Sequence, residues 1–219
     1  MLKAMTTLPV RLLALPVLAL SLLLAGCDDG ASEQVRDAFD AYKDAISQRN
    51  GDALLKVIDP QNVKHYDQFL QIARAGTKDQ ITRLPLIQRL YVLMMRNRLK
   101  PGTLRSIDGA GFVKLAVERG WYFSGDDMSD VKLGRISVKQ PRASAVVFIG
   151  RFKTDARFEF VNVEGTWLVN DECLDQLIEK DLEKAAAALR MSEDGLLFRM
   201  ESEETGKRVD DRIFEQPPK

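Results

Sequence analysis

The spacing of apolar residues changes near Val131, and this change limits the folds that are open to the chain. Upstream, apolar side chains recur at helical intervals, as in Val35, Phe39, Tyr42 and Ile46. From Val131 to Val169 apolar and polar residues largely alternate, which is the period of a strand. We therefore predict an α+β domain in which N-terminal helices pack on a curved antiparallel sheet over about residues 131–169, followed by a C-terminal helix.

Capping and breaking signals divide the helical part. Helices are predicted over about residues 32–48 and 62–75. Thr77 and Gln80 have the spacing of a capping box, which predicts a helix running to about residue 99 with an interruption at Pro85. Asp108 is predicted to cap a further helix that ends before Gly120.

Short turns separate the predicted strands, which cover about residues 131–138, 143–152, 156–163 and 166–169. Gly134 is expected at a β-bulge, because the apolar side chains change face there. Glu164-Gly165 is expected to form a hairpin turn. A last helix is predicted to run to about Arg190, and residues 191–219 form a charged tail. For the tail, a hairpin around Glu204-Thr205-Gly206 and partial disorder both stay open.

The N-terminus carries the pattern of a secretory signal. Lys3 and Arg11 give it positive charge, and an uncharged run follows over residues 12–26. This run is shorter than the ~20 apolar residues that a membrane-spanning helix needs. It ends in Leu24-Ala25-Gly26-Cys27.

That ending resembles the lipobox of bacterial lipoproteins. The resemblance implies that residues 1–26 are a signal peptide, that Cys27 carries a diacylglyceryl group and an amide-linked acyl chain such as palmitate, and that residues 27–31 are a lipidated tether. Several acyl chains on one residue give a stable membrane anchor. The protein would then face the periplasm from the cell envelope. Asp28 resembles the signal that retains lipoproteins in the inner membrane, although the outer membrane stays possible. The alternative is an ordinary signal peptide in which Cys27 is incidental.

Composition restricts the remaining chain. Removal of 26 of the 219 residues leaves 193, enough for one domain with a core. Lys3 and Arg11 are removed with the signal, so the remaining chain contains 30 of the 32 basic residues and all 32 acidic residues. This balance argues against a nucleic-acid partner. Of the two cysteines, Cys27 is assigned to lipid, so Cys173 has no disulfide partner within the domain.

The predicted domain, residues 32–190, also resembles the nuclear-transport-factor-2-like fold. The likeness rests on Phe39-Asp40-Ala41-Tyr42, on Gly51-Asp52-Ala53 and on the hairpin from Phe158 to Trp167. It implies a bent sheet that wraps helices into a cone with a pocket. The long helical section before Gly120 and the helix after Val169 depart from that family. A plain α+β domain is the alternative.

His65, the single histidine, is the residue most open to a catalytic interpretation. It could act as a general acid/base with Tyr66 or Asp67, as the resemblance to cone-fold isomerases and dehydratases implies. On a helix, however, Tyr66 belongs to the apolar stripe, His65 flanks it, and Asp67 lies about 100° further round. A structural histidine on the flank of the helix is therefore the favoured interpretation.

Other candidate sites have structural interpretations that we favour. Cys173 is expected to be a buried, inert thiol, because Asp171 and Glu172 oppose the helix dipole that would activate it. The acidic run over residues 125–130 lacks the ligand spacing of a calcium loop. Asp108-Gly109-Ala110-Gly111 lacks the third glycine of a dinucleotide fingerprint and is expected to start a helix.

The last two candidates are a basic helix and an aromatic cluster. A basic helix could face a membrane, but a buried helix with charged ends is favoured; its basic residues are Arg83, Arg89, Arg96, Arg98 and Lys100. Trp121-Tyr122-Phe123 and Trp167 could line a ligand pocket, although aromatic clusters more often belong to a core.

The leading functional hypothesis is a non-catalytic, lipid-anchored periplasmic domain that binds a small apolar ligand or an envelope protein. One alternative is a small cone-fold enzyme that uses His65. Another is a structural or assembly lipoprotein without a pocket. No metal or cofactor site is predicted, because no residue pattern has the required spacing.

Overall fold

The structure, a computed structural model, describes residues 27–122 and 128–217. Residues 1–26, for which a signal peptide is predicted and which include Leu24-Ala25-Gly26 of the lipobox-like motif, lie outside these ranges. The helical half contains α1 (Cys27–Ser47), α2 (Gly51–Leu54), α3 (Pro60–Ala75), α4 (Lys78–Thr82), α5 (Leu86–Arg98), α6 (Pro101–Ser106) and α7 (Gly109–Glu118). The strands are β1 (Val131–Lys139), β2 (Arg142–Ile149), β3 (Phe152–Val163) and β4 (Thr166–Asn170). They are followed by α8 (Glu172–Leu189), α9 (Glu193–Thr205) and a 3-10 helix, Asp211–Phe214. The predicted α+β class is confirmed.

Side-chain caps fix where several helices begin, as the sequence predicts. The Thr77 hydroxyl accepts from the backbone N–H of Gln80, whose side chain accepts in return from the Thr77 N–H, so the capping box is present. Asp108 accepts from Gly111 N at 2.8 Å. Pro85 separates α4 from α5, as predicted, and Glu179 of α8 accepts from Leu86 N at 2.7 Å. A carboxylate from a distant helix therefore caps α5.

The sheet is antiparallel with strand order β1-β2-β3-β4. Its buried face carries Ala143, Ala145 and Val147 of β2 with Phe158 and Phe160 of β3. The register shifts between Leu133 and Ile136, which confirms the predicted bulge at Gly134. A Cβ at Gly134 would lie 2.7 Å from the Phe148 ring, so a side chain there would displace that ring.

The hairpin between β2 and β3 corrects the predicted strand boundaries. The prediction continues one strand through residue 152, but β2 ends at Ile149 and β3 already begins at Phe152. Gly150 adopts a φ of 59°, which favours glycine and reverses the chain there. The predicted Glu164-Gly165 turn is present, with φ of 51° and 89°.

The core lies between the sheet and the helices. Helix α1 packs against β1 and β4, and α8 packs against β3. Helix α3 packs against α5 and α7, while α5 also contacts α8 and α9. The apolar run from Leu90 to Met95 predicts a centrally buried segment; Tyr91 to Met95 are buried and Leu90 is half-buried. No helix within the described ranges is long and apolar enough to cross a membrane.

Three helical segments differ from the predictions. Helix α1 begins at Cys27 instead of Ser32, so helical backbone replaces the expected tether. Pro101 opens α6 instead of only closing the preceding helix, because proline fits the first turn of a helix. Residues 193–205 form α9, neither a hairpin nor a disordered tail.

Arginines of α5 hold this C-terminal segment in place. Arg89 pairs with Asp194 at 2.6 Å, and Arg98 pairs with Glu201 at 2.6 Å. Arg96 donates to the carbonyl oxygens of Ile213 and Glu215. Leu197 and Phe214 then complete the core. These arginines thus bind protein groups, in agreement with the favoured interpretation of a buried helix with charged ends.

Candidate functional site

A buried carboxyl group lies where β4 passes into α8. Asp171 is 7% exposed and occupies the N-cap position of α8, but its side chain makes no capping hydrogen bond. Its Oδ2 accepts from the Tyr42 hydroxyl at 2.7 Å and from the Tyr122 hydroxyl. Its Oδ1 accepts from Asn62 Nδ2. The carboxyl group is therefore held by donors from α1, from α3 and from the segment after α7.

A second carboxyl group follows one turn along α8. Asp175 accepts from the Tyr91 hydroxyl. The Tyr66 ring lies between the two sites, with its centroid 5.5 Å from that of Tyr91 and 6.3 Å from that of Tyr122. All four tyrosines of the chain thus meet around two aspartates. We call this set the tyrosine–aspartate network: Tyr42, Tyr66, Tyr91, Tyr122, Asp171 and Asp175.

Burial controls the protonation of this network. It raises the pKa of Asp171, and the hydrogen bonds from Tyr122, Tyr42 and Asn62 oppose this rise. Burial, with a contribution from the negative charge of Asp171, raises the pKa of Asp175 to about 7. Burial also raises the pKa of each network tyrosine well above 10, so the phenols remain protonated donors at neutral pH.

An apolar cavity of about 590 Å³ lies on one side of the network. Tyr91 and Tyr122 belong to its wall. The other lining residues come mainly from α5, α8 and α9 and from the segments next to α7 and β1: Ile87, Leu90, Met94, Arg98, Gly120, Trp121, Met128, Val131, Ile149, Leu174, Leu177, Ile178, Asp181, Met200, Glu201 and Glu204. Most of these side chains are aliphatic or aromatic, so the cavity can accept an apolar molecule.

Charged groups occupy a limited part of this apolar cavity. The Arg98 guanidinium lies 5.5 Å from the centroid of Trp121 and is paired with Glu201 at 2.6 Å. Glu204 lies 3.7 Å from the same guanidinium. Asp181, which is exposed, also belongs to the lining, so the described part of the lining contains three acidic residues and one arginine.

A polar cavity of about 190 Å³ lies on the other side of the network. It is lined by Asn62, His65, Tyr66, Gln68, Phe69, Gln88, Asp171, Glu172 and Asp175. Asn62 is 5% exposed, and its Oδ1 has no hydrogen-bond partner. A buried amide oxygen without a partner is unfavourable, and such a group is often matched by a ligand or by water.

The predicted His65, Tyr66 and Asp67 do not meet at one place. His65 is exposed and lines the polar cavity, and Tyr66 is buried there. Asp67 accepts instead from Gly109 N at 2.6 Å, at the contact between α3 and α7. The described structure therefore places His65 near Asp171 and Asp175, and it directs Asp67 elsewhere.

Two further candidates from the sequence are Cys173 and the acidic run over residues 125–130. Cys173 is buried, and burial raises the pKa of its thiol to about 12, which agrees with the favoured inert thiol. Residues 125–127 of the acidic run, and Phe123, lie outside the described residues, while Met128 is buried. Within the described ranges, no group of three acidic, histidine or cysteine side chains could hold a metal ion.

Sequence reasoning missed the network itself. Asp171 has the position and residue type of a helix cap, and that local explanation conceals its long-range contacts. The available signal was the tyrosines: each occupies an inward helical position or borders a core segment, where a buried hydroxyl needs a partner.

The comparisons with known proteins give this site no precedent. No protein family, no curated protein and no solved structure matches the chain.

Proposed function

We propose that this chain is a lipid-anchored envelope protein whose periplasmic domain holds a small apolar ligand in the apolar cavity. The observation that carries the proposal is the cavity of about 590 Å³ between α5, α8 and α9. Its size lies within the roughly 300–1,000 Å³ that is typical of small-molecule sites, and its walls are mainly apolar.

The chemistry of the lining narrows the class of ligand. Arg98 is neutralised by Glu201, and Glu204 and Asp181 add negative charge. An anionic head group would therefore meet repulsion, because Arg98, the only cationic side chain among the described lining residues, is already paired with Glu201. A neutral molecule with an apolar body fits this lining best.

The proposed anchor rests on the sequence. Leu24-Ala25-Gly26-Cys27 ends a short apolar run after a basic start, which supports acylation of Cys27 and export. Asp28 favours the inner membrane over the outer membrane. The likeness to the nuclear-transport-factor-2-like fold is part of the same proposal, since a cone-shaped domain would provide a ligand pocket.

Filling the apolar cavity tests the proposed function. Leu177 is partly buried in the lining, so Leu177→Trp should occupy the space that the ligand needs. We expect the full chain to bind the neutral dye Nile red and Leu177→Trp to weaken binding at least about tenfold, which corresponds to ~1.4 kcal/mol. Leu189→Trp is the matched control, because Leu189 is 49% exposed on the same helix and outside the lining. Equal binding by all three proteins would refute the proposal.

The position of His65 on the polar cavity favours one second candidate, a small enzyme that uses His65 with the carboxyl groups of Asp171 and Asp175. His65→Ala would abolish an activity of this kind. It would leave Nile red binding unchanged, because His65 is not in the lining of the apolar cavity.

A further inference from the structure

The polar cavity contains an acceptor that the protein itself does not satisfy. Asn62 lies on α3, and Asp59 caps the start of this helix. Asn62 also lines the cavity, and its Nδ2 donates to Asp171, which leaves the buried Oδ1 of the same side chain without a donor. A ligand that donates a hydrogen bond to Asn62 Oδ1 would satisfy this acceptor.

The same cavity has carboxyl groups without a counter-charge. Within the described residues, no lysine or arginine forms an ion pair with Asp171, Asp175 or Glu172. The hydroxyl and amide groups that bind Asp171 and Asp175 are neutral donors. Asp171 is buried and Asp175 is half-buried, and a carboxylate removed from water is stabilised by a cation, so a positive ligand would supply the missing charge.

The remaining walls suit an organic cation. Tyr66 and Phe69 form part of the lining, with ring centroids 5.9 Å apart, and aromatic faces attract ammonium groups. The volume of about 190 Å³ equals several water molecules at ~30 Å³ each, which limits the ligand to a few heavy atoms.

We propose that the polar cavity binds a small protonated primary amine, with Asn62 Oδ1 and the carboxyl groups of Asp171 and Asp175 as acceptors for its ammonium group. A primary ammonium carries three donors, which a quaternary ammonium lacks. This site is distinct from the apolar cavity and does not depend on the function proposed for it.

The test is calorimetric titration of the full chain with methylammonium chloride, with potassium chloride and tetramethylammonium chloride as references. We expect saturable binding of methylammonium only. Asp175→Asn should weaken it by about 10- to 100-fold, the usual effect of losing a hydrogen bond to a charged group. Glu172→Gln, on the exposed rim, should weaken it less and serves as the second variant if Asp175→Asn does not fold.

Matched controls make the result decisive. Glu183→Gln changes an exposed carboxylate of α8 outside both cavities and should leave the affinity unchanged. Leu177→Trp should also bind methylammonium normally, so a failure of this proposal is distinguishable from a failure of the apolar site. Absence of methylammonium binding, or equal binding of tetramethylammonium, would overturn the proposal. Unchanged affinity in both carboxyl variants would do the same.

Discussion

Asp171, which is buried, and Asp175, which is half-buried, are the residues whose chemistry departs most from that of a simple core. Among the described residues, three side chains donate hydrogen bonds to Asp171 and no lysine or arginine pairs with it, and burial raises its pKa. Asp175 shares this environment and titrates near neutrality, at about 7. Tyr42 and Tyr122 donate hydrogen bonds to Asp171, and Tyr91 donates one to Asp175. The ring of Tyr66 packs against those of Tyr91 and Tyr122. The placement of these tyrosines ties α1, α3, α5 and the segment after α7 to the start of α8.

The raised pKa of Asp175 predicts a pH dependence of stability. In the unfolded chain an aspartate titrates near ~3.9, so the folded state binds more protons between about pH 4 and pH 7. The free energy of unfolding should therefore fall as the pH rises through this window and level off above it. Asp171 contributes with the same sign, because its pKa is also raised.

Asp175→Asn should reduce this slope and stabilise the protein at pH 8. The pKa of Asp175 is displaced from about 3.9 to about 7, and each unit corresponds to about 1.4 kcal/mol, so a gain of up to about 4 kcal/mol is expected. For a domain of this size, a gain of that magnitude corresponds to a rise of up to roughly 8–16 °C in Tm. Thermal melts from pH 4 to pH 8 measure the effect, with Glu183→Gln as a control. A slope as steep as that of the original protein would contradict the assigned role of Asp175.

The surroundings of two candidate residues of the site could be predicted from the sequence. The single histidine could be assigned to a helix flank, and Cys173 to a buried position, because both follow from local spacing. The contact between Tyr42 and Asp171 spans 129 residues, and local patterns carry no information about such contacts. Asp171 also has the residue type that is preferred at a helix cap. Its long-range hydrogen bonds therefore could not be recognised from the sequence.

Among the secondary-structure elements, α5 organises the C-terminal part of the molecule. Its apolar positions face the core, while Arg89, Arg96 and Arg98 engage α9 and the residues after it. Glu201 is 0% exposed and receives a two-pronged hydrogen bond from Arg98 as well as one from Asn97. Burial of this charge pair fixes how α9 lies against α5 and the apolar cavity.

Breaking that pair should destabilise the domain strongly. Glu201→Gln removes the buried carboxylate from the guanidinium of Arg98, whose side chain is 11% exposed, and leaves only the exposed carboxylate of Glu204 at 3.7 Å. Loss of one partner of a buried pair costs about 3–5 kcal/mol. Urea unfolding should show a large decrease in the free energy of unfolding.

Glu203→Gln is the control for this experiment. It removes the exposed pair between Arg199 and Glu203 on the same helix and should cause no measurable change. If both variants unfolded at the same urea concentration, the Arg98–Glu201 pair would not be what holds α9.

Most elements were predictable because their signals are local. The capping box at Thr77, the break at Pro85 and the bulge at Gly134 depend only on neighbouring residues. The hairpin at Gly150 was missed because Ile149 and Phe152 continue an apolar run, although both are exposed at 44% and 68%. Helix α9 was missed because its charged residues suggest solvent, whereas their partners lie on α5, roughly 100 residues away.

At the level of the whole molecule, an exported, acylated N-terminus would hold a domain with two chemically different cavities near a membrane. Helix α1 starts at Cys27, so an anchor on this residue would connect directly to a helix that packs on the sheet. The tyrosine–aspartate network separates the two cavities, with Tyr66 on the polar cavity and Tyr122 on the apolar one. The proposed functions of both cavities therefore depend on this network for their walls.

The anchor makes a prediction of its own. Cys27→Ser in the full chain should remove the acylation site, release the protein from membranes and eliminate the added lipid mass, because acyl chains supply the membrane affinity. Membrane fractionation and intact-protein mass spectrometry measure both results. Firm attachment of the variant to membranes would contradict the proposed lipid anchor.

Native mass spectrometry of the full-length protein, extracted from the membranes of its own cells, tests the ligand-binding function most directly. We predict an additional mass that remains after the detergent is removed and is lost on denaturation, which distinguishes a bound ligand from covalent acyl chains. Leu177→Trp should lack this mass, and Leu189→Trp should retain it. If the original protein carried no additional mass, or if Leu177→Trp carried the same mass, the assignment of the apolar cavity as a ligand site would be contradicted.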